Sequence, residues 1–376
     1  IAGYPWFSDW GRDTFIALPG ITLVTGRFDH AAGMLKAFAQ ACDKGMIPNR
    51  FPDHGEVADY NSVDASLWYI QAVNRYLDYT GDFAGIEEEI WPTIKSIVTH
   101  YHDGTRYGIH ADTDGLITAG EGNVQLTWMD AKVGDWVVTP RHGKPVEINA
   151  LWYHALRVSE ALATRFGDIT FAEKASAYAE RLQAVFEPTY WNEERGCLYD
   201  LVHADGKDGA IRPNQVLALS LPHRLVEQER SRKILEVIEQ NLLTPRGMRS
   251  LWQGHPSYAG HYGGDQHSRD GAYHQGTVWG WLIGPFVTAY VNVNGRSEAA
   301  RNQAAEFIEP FRSHLFEAGI GHISEIFDGD APHESRGCYA QAWSVGEVLR
   351  CYVEDILGER PEPWFSEPVV VSKSGN

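Results

Sequence analysis

The chain has 376 residues, of which 43% are hydrophobic and 22% are charged, and its formal net charge is −18. This apolar content supports a large core and excludes an intrinsically disordered chain. The excess of carboxylates argues against a nucleic-acid partner, because phosphates are bound by clustered Lys and Arg. The longest uncharged apolar run, 278–291, is interrupted by glycines and Pro285 and is too short to span a bilayer, so no membrane partner is expected.

Apolar residues recur at helical spacing along most of the chain. In chain order, helices are predicted at 12–25, 28–43, 64–80, 86–103, 147–166, 170–187, 213–221, 226–242, 271–292, 297–313 and 339–355. Clear strand alternation is scarce, so the predicted fold class is all-α. Short connections such as 79–82 alternate with longer ones, which suggests helical hairpins repeating at ~40–60 residues and closing into a ring.

Two long connections, 104–146 and 243–270, are rich in Gly, Asp, His and Trp instead of having the Ser and Pro of a linker. Long loops in a compact domain are usually functional. The length of residues 1–376 allows two or three domains, and one closed helical barrel is equally allowed. Because the chain opens at Ile1 without a methionine, we also expect an upstream segment to be absent.

The four cysteines, Cys42, Cys197, Cys338 and Cys351, are scattered and form no CxxC pair. This favours free thiols and a cytoplasmic protein over a disulfide framework or a zinc knuckle. The histidines lack metal-ligand spacing, and no phosphate-cradling or dinucleotide motif is present. No metal and no cofactor are predicted.

Two carboxylates lie in aromatic settings nearly two hundred positions apart. Asp130 follows Trp128 and Met129, whose apolar side chains are expected to raise its pKa and keep it protonated. Glu325 lies in a glycine-flanked segment before the last predicted helix, where it could orient water. Hydrolysis of a glycosidic bond needs such a pair, one as acid and one as base. The alternatives are a solvated loop aspartate and a surface glutamate.

The opening segment combines the Trp10 indole with an Arg12–Asp13 pair. Sugars are bound by aromatic rings that stack on C–H faces and by charged groups that bond hydroxyls. The alternative is an aspartate that caps a helix with Arg12 as its counter-ion.

Further polar and aromatic residues lie at the N-terminal ends of predicted helices, where Asp64 and Glu147 could equally be helix caps. In a helical ring these ends surround one opening. The candidate substrate-binding residues of this kind are Asn61, Asp64, Trp128, Lys144, Glu147, Asn149, His274, Gln275, Trp279, Gln341 and Trp343.

Seven ordered motifs resemble the amylo-α-1,6-glucosidase catalytic domain of glycogen debranching enzymes, within the wider glucoamylase-like group. They are GYPWFSDWGRDT (3–14), YNSVDASLW (60–68), LTWMDAK (126–132), GKPVEINALWY (143–153), RPNQ (212–215), YHQGTVW (273–279) and QAWS (341–344). The resemblance covers residues 3 to about 355. It implies that residues 1–376 form one catalytic domain, an (α/α)6 barrel, with Asp130 as the acid, Glu325 in SEIFD as the base, and Arg12 and Asp13 binding the terminal glucose. Family members commonly carry an N-terminal β-rich domain, and we expect the absent upstream segment to be a domain of that kind.

The resemblance implies an inverting hydrolase that removes α-1,6-linked glucose from glycogen, limit dextrin or a branched oligosaccharide. The alternatives are another glucoamylase-like exo-α-glucosidase, a trehalase-type hydrolase, or a carbohydrate-binding module without activity. A binding module would keep the aromatic residues and lose one carboxylate, whereas both Asp130 and Glu325 are present. The oligomeric state is not indicated.

Overall fold

The computed structural model describes residues 1–51 and 57–365, which are mainly helical. In chain order the helices are α1 Gly11–Leu18, α2 Phe28–Gln40, α3 Ala65–Thr80, α4 Phe83–Gly85, α5 Trp91–Asp103, α6 Val146–Arg165, α7 Ile169–Tyr190, α8 Leu217–Ser220, α9 Gln228–Asn241, α10 Gln266–Ala272, α11 Ile283–Val293, α12 Glu298–His314 and α13 Ala342–Cys351. Short 3-10 or π turns extend several of them, at Pro19–Leu23, Ile86–Ile90, Arg106–Gly108, Pro213–Val216, Gly280–Leu282 and Tyr352–Ile356.

Six helices contact one another in a closed circuit. Helix α1 packs on α3, α3 on α6, α6 on α8, α8 on α11, α11 on α13, and α13 returns to α1. The amphipathic helices α2, α5, α7, α9 and α12 pack against members of this inner ring from outside. Inner helices are therefore buried on most sides, and outer helices on one face, as for Ala175, Ala179 and Leu182 of α7.

Local sequence explains where many helices begin and end. Helix α3 ends at Gly81, which adopts a left-handed conformation with φ of 63°. The carboxylate of Asp168 accepts a hydrogen bond from the Phe171 N–H at the start of α7. In the same way, the hydroxyl of Ser297 accepts from the Ala300 N–H at the start of α12.

One predicted helix is wrong in extent. The stretch 271–292 is not one helix: α10 ends at Ala272 and α11 begins only at Ile283, after a 3-10 turn at Gly280–Leu282, because Val278–Trp279 between them is a strand. These two residues pair with Gly247–Arg249 on one side and with Ile326–Phe327 on the other. Backbone pairing to distant segments has overridden the local helical pattern.

The all-α expectation also needs correction, because short antiparallel strands order the long connections. A five-stranded sheet joins Leu243–Thr244, Gly247–Arg249, Val278–Trp279, Ile326–Phe327 and Ser335–Arg336. A three-stranded sheet joins Lys144–Pro145, Leu201–His203 and Gly206–Asp208. Two-stranded pairs join Gly3–Tyr4 with Ala340–Gln341, Asp9–Trp10 with Arg50–Phe51, His110–Ala111 with Ile117–Thr118, Lys132–Val133 with Trp136–Val137, and Trp191–Asn192 with Cys197–Leu198. Strands of two or three residues carry too little alternation to be recognised in sequence.

Three of the inner helices, α1, α3 and α13, begin on the same side of the ring, which we call the mouth. There Arg12 of α1 contacts Asp64 before α3, and Asp13 contacts Gln341 before α13. The opposite side, which we call the floor, is where Arg75 of α3 meets Glu354 beyond α13. Across the described ranges, no helix combines the length and apolarity needed to cross a membrane.

Candidate active site

Arg12, in the first turn of α1, is a buried centre of charge at the mouth. Its Nε donates to both carboxylate oxygens of Asp64 at 2.9 and 2.8 Å, and Ser62 donates to the same carboxylate at 2.6 Å. Its Nη1 donates to Asp130 Oδ2 at 2.9 Å. Since Asp64 is itself buried and fully engaged, it anchors the guanidinium while the outer edge of Arg12 faces Asp130.

Asp130 lies on the loop after Trp128, and its side chain is 29% exposed. It is the most accessible of the carboxylates that contact Arg12. His274 Nε2 is 3.8 Å from its Oδ1, which is beyond hydrogen-bonding distance but close enough for electrostatic attraction. Burial raises the pKa of Asp130, but His274 and Arg12 outweigh it, and the net pKa is lowered. The expectation that neighbouring indoles hold this pKa up is therefore wrong for the unliganded protein.

Glu325 is held at the end of a strand of the five-stranded sheet. Its Oε2 accepts a hydrogen bond from the Cys338 N–H at 2.9 Å, and its Oε1 accepts one from the Tyr273 hydroxyl. A Cβ at position 337 would lie 2.3 Å from the same carboxylate, so Gly337 leaves room for it. Burial raises the pKa of Glu325, and the negative charge of Asp130 raises it further. The two carboxylates therefore interact electrostatically in the mouth.

Asp13 is a third buried carboxylate of this group. Burial raises its pKa to about 7, with further contributions from the charges of Asp130 and Glu325 against the lowering effect of Arg12. Gln341 Nε2 donates to Asp13 Oδ1 at 3.3 Å, whereas Gln341 Oε1 has no partner. Such an excess of carboxylates in a cleft is typical of a functional site.

Aromatic side chains form the wall of the mouth. The His274 and Trp279 rings stack at 4.9 Å with an interplanar angle of 5°, and Trp128 contacts both edge-on at 5.1 and 5.2 Å. Trp343 packs against Trp279 at 5.7 Å and against Trp281 at 5.3 Å. Both ring nitrogens of His274 are buried without a hydrogen-bond partner. An incoming polar ligand can satisfy them.

Residues of the RPNQ motif support this wall from behind, and reasoning from sequence did not assign them a role. Asn214 accepts from Trp128 Nε1 at 2.6 Å and donates to Asp200 at 2.6 Å. Arg212 donates to the His274 carbonyl at 2.8 Å and to the Gln275 amide oxygen at 3.0 Å. Tyr273, the partner of Glu325, was also missed, although it directly precedes His274 in a quoted motif.

Several predicted substrate-binding residues have internal partners. Glu147 makes a two-pronged pair with buried Arg141, and Lys144 pairs with Asp112 and Asp114 at 2.7 and 2.6 Å. Asn149 bonds the backbone of Ile117 in both directions and the Tyr190 hydroxyl. These contacts hold the loops around α6.

The remaining candidates lie at the margins of the mouth. Gln275 is occupied at both ends of its amide, by Arg212 and by Thr139 Oγ1. Trp10 is half-buried and contacts Phe7 edge-on at 6.2 Å, and Asn61 is half-buried one residue before Ser62. Within residues 1–51 and 57–365, no three His, Cys, Asp or Glu side chains are grouped to hold a metal ion.

The fold is one found in solved glycosidase structures. It is similar to a rhamnosidase from Klebsiella oxytoca solved with rhamnose bound, with a TM-score of 0.63 and 18% identity, covering 93% of this chain and 58% of that one. It is also similar to a GH78 family rhamnosidase of Bacillus sp. GL1, with a TM-score of 0.61 and 18% identity, covering 92% of this chain and 31% of that one.

Sequence comparison identifies the family. Residues 1–350 match the profile of the amylo-alpha-1,6-glucosidase family, and the chain belongs to that family of glycoside hydrolases. The glycogen debranching enzyme of Saccharomyces cerevisiae is 27% identical over 460 aligned residues, covering 94% of this chain. The chain spans 30% of the length of that yeast enzyme.

Proposed function

We propose that the protein removes single α-1,6-linked glucose residues at the branch points of glycogen or limit dextrin, with inversion at the anomeric carbon. The observation that supports this most directly is the pair Asp130 and Glu325. They lie on separate segments of one mouth, and each is buried enough for the charge of Asp130 to raise the pKa of Glu325. Membership of the amylo-alpha-1,6-glucosidase family supports the choice of linkage.

In the proposed reaction, Asp130 donates its proton to the glycosidic oxygen as the bond between that oxygen and the sugar carbon breaks. Glu325 takes a proton from a water molecule whose oxygen attacks the same carbon from the opposite face, which releases β-glucose. An inverting enzyme of this kind needs carboxyl groups ~6.5–9.5 Å apart, so that water fits between base and sugar. Arg12, Asp13 and the His274–Trp279 stack would hold the terminal glucose.

Asp130 must carry a proton to act as the acid, yet His274 and Arg12 together lower its pKa in the unliganded protein. We propose that hydroxyl groups of the bound glucose take over the outer edge of the Arg12 guanidinium. Because Asp64 anchors Nε, the side chain need only turn its Nη1 from Asp130 toward the sugar. Losing this positive neighbour would raise the pKa of Asp130, so that the carboxyl group is protonated when substrate is bound.

The closed circuit of inner helices with outer helices packed around it supports assignment of the fold as an (α/α)6 barrel forming one catalytic domain. All four cysteines are free thiols, which supports a reducing compartment such as the cytoplasm. The interior of this barrel would be packed, with the substrate entering at the mouth.

The test is a panel of limit dextrin, a branched malto-oligosaccharide with one α-1,6 glucose, maltose, trehalose and an aryl α-L-rhamnoside. We expect glucose from the first two, and proton NMR of the early product should show the β-anomer. Faster cleavage of maltose or trehalose would favour the other exo-glucosidases, and release of rhamnose would favour the activity named for the structural neighbours. Initial α-glucose would contradict inversion.

A further inference from the structure

A hairpin projects directly from the loop that carries Asp130. Its strands Lys132–Val133 and Trp136–Val137 pair antiparallel, and the Val138 N–H donates to the Ala131 carbonyl at 3.1 Å, which closes its base. The turn contains Gly134, whose φ of 57° suits a tight hairpin. Only five positions separate Asp130 from Trp136, so the two residues lie on neighbouring parts of one short hairpin and its loop.

The indole of Trp136 is 43% exposed and is supported from one side. It stacks against the His267 ring at 4.7 Å with an interplanar angle of 22°. A Cβ at Gly271 would lie 3.3 Å from its outer ring, so the indole rests against α10 where that helix has no side chain. Helix α10 continues directly into Tyr273 and His274 of the mouth. The hairpin and α10 together form an aromatic shelf next to Asp130, in which the Trp136 indole stacks on the His267 ring.

The side on which this shelf lies follows from the proposed chemistry. An acid that protonates the leaving oxygen lies on the side of the leaving group, and the base lies across the sugar ring. In the proposed reaction the leaving group is the glucan main chain, which is too large for the buried cluster of Arg12 and Asp13 that would hold the terminal glucose. It must extend past Asp130 onto the neighbouring surface, which is the Trp136 hairpin.

We propose that Trp136, supported by His267, is a binding platform for the α-1,4-linked glucan main chain that carries the branch glucose. The proposal rests on the function proposed above and names a subsite for its leaving group. An exposed indole offers a flat apolar face to the C–H face of a neutral glucose unit. Asp130 and Asp135 beside it disfavour anionic ligands, in keeping with a neutral polysaccharide.

The experiment compares two substrates that share the terminal glucose and differ in the leaving group. The branched malto-oligosaccharide has a main chain to stack on Trp136, whereas α-D-glucosyl fluoride has none. Trp136→Ala should lower kcat/KM for the branched substrate about tenfold, the value of one lost aromatic contact. The loss on the fluoride should be at least about fivefold smaller, and Trp136→Phe should restore most of the activity. Tyr352→Ala is the matched control, because Tyr352 is also 43% exposed but lies at the floor.

Equal losses on both substrates would mean that the indole holds the Asp130 loop in place, and would overturn the proposal. Unchanged activity on both, or the same selective loss in Tyr352→Ala, would overturn it as well. If the unaltered protein hydrolyses neither substrate, the proposed function fails separately. The platform is then judged by titration with maltoheptaose, where a Kd about tenfold weaker in Trp136→Ala supports it and an unchanged Kd overturns it.

Discussion

The mouth and the floor of the helical ring both contain buried charges, but their balance differs. At the floor, the Arg75 and Arg350 guanidinium groups bond Glu354 and Glu347 at 2.7 Å each, and Arg350 also meets Asp355 at 3.2 Å. At the mouth, the Arg12 guanidinium interacts with Asp13, Asp64 and Asp130, and Asp13 and Asp130 in turn interact with a fourth carboxylate, Glu325. The floor is nearly neutralised by its own side chains, whereas the mouth keeps an excess of negative charge.

The pKa values of one carboxylate from each cluster, Glu354 and Asp13, illustrate this difference. At the floor, Glu354 is deeply buried, which alone would raise its pKa, yet Arg75 and Arg350 lower it to about 2. At the mouth, burial and the neighbouring carboxylates raise the pKa of Asp13 to about 7. A structural cluster stabilises its charges, while a catalytic cluster retains groups that exchange protons near neutral pH. The floor is therefore expected to determine stability and the mouth to determine activity.

The largest effect is expected for Glu325→Gln at the mouth. The amide keeps the shape of the side chain but cannot take a proton from water, so hydrolysis of limit dextrin should fall at least ~10³-fold. Stability should be equal or higher, because one of several repelling buried carboxylates is removed. Initial rates and thermal melts of both proteins test this. In Glu325→Ala, azide should restore partial activity and yield β-glucosyl azide. A fully active Glu325→Gln protein would contradict the assignment of the base.

The floor should give the opposite result. Glu354→Gln removes one of the two buried carboxylates that pair with Arg75, the other being Asp78. It should lower the free energy of unfolding by roughly 3 kcal/mol, because the charged form of Glu354 is strongly stabilised in the fold, while activity per folded molecule is kept. Since the folded pKa of Glu354 is about 2, below its ordinary value, this stabilisation is present above about pH 4.5 and disappears as the pH falls toward 2.

Urea unfolding at pH 7 and at pH 3 measures both the size and the pH dependence of this loss. Exposed Glu359→Gln, five residues away, is the control and should change stability by no more than ~0.5 kcal/mol. If both variants unfold at the same urea concentration, the floor cluster does not have the stabilising role inferred here.

A smaller loss of activity is expected for Asp130→Asn. Without the proton donor, cleavage of the branched malto-oligosaccharide should fall at least ~10²-fold, while α-D-glucosyl fluoride suffers less because fluoride needs little help to leave. Parallel assays of the two substrates test this, and equal losses would assign Asp130 a structural role. In the active protein, we expect the alkaline limb of kcat to lie at higher pH than that of kcat/KM, because bound sugar removes Arg12 from Asp130.

The smallest effect is a gain in stability for Asp13→Asn. The folded pKa of Asp13 is raised to about 7, so the ionised carboxylate destabilises the fold increasingly from about pH 4 to about pH 7 and fully above it. The variant should be more stable than the unaltered protein at pH 8, on the order of 2 kcal/mol, and equal to it near pH 4. Its kcat/KM should fall, since a contact to the terminal glucose is weakened. Thermal melts of both proteins at pH 8 and pH 4 test whether the substitution raises or lowers stability.

Amphipathic periodicity was enough to predict most helices, because the burial of one helix face requires apolar residues at fixed spacing. Helices α3, α7 and α12 begin and end within three residues of their predicted bounds. It failed at 271–292, where Val278 and Trp279 pair with strands that are distant in sequence. It also missed α10, a single short helix within a long connection. Pairing partners of that kind are not encoded in local spacing.

By itself, the sequence indicated the mainly helical class of the protein and some of the side chains that meet at the mouth, such as Arg12, Asp130 and Glu325, since both depend on residue types at nearby positions. The tertiary structure alone decided the environment of each group. It brought Arg12 to Asp130 and Tyr273 to Glu325, and it paired Glu147 with Arg141 instead of leaving it to face the mouth. The pKa of a carboxylate depends on burial and on charges within a few ångströms. Arg12 and Asp130, for example, are more than a hundred positions apart in the sequence. Only the folded chain therefore shows whether burial or the ion pair determines the pKa of Asp130.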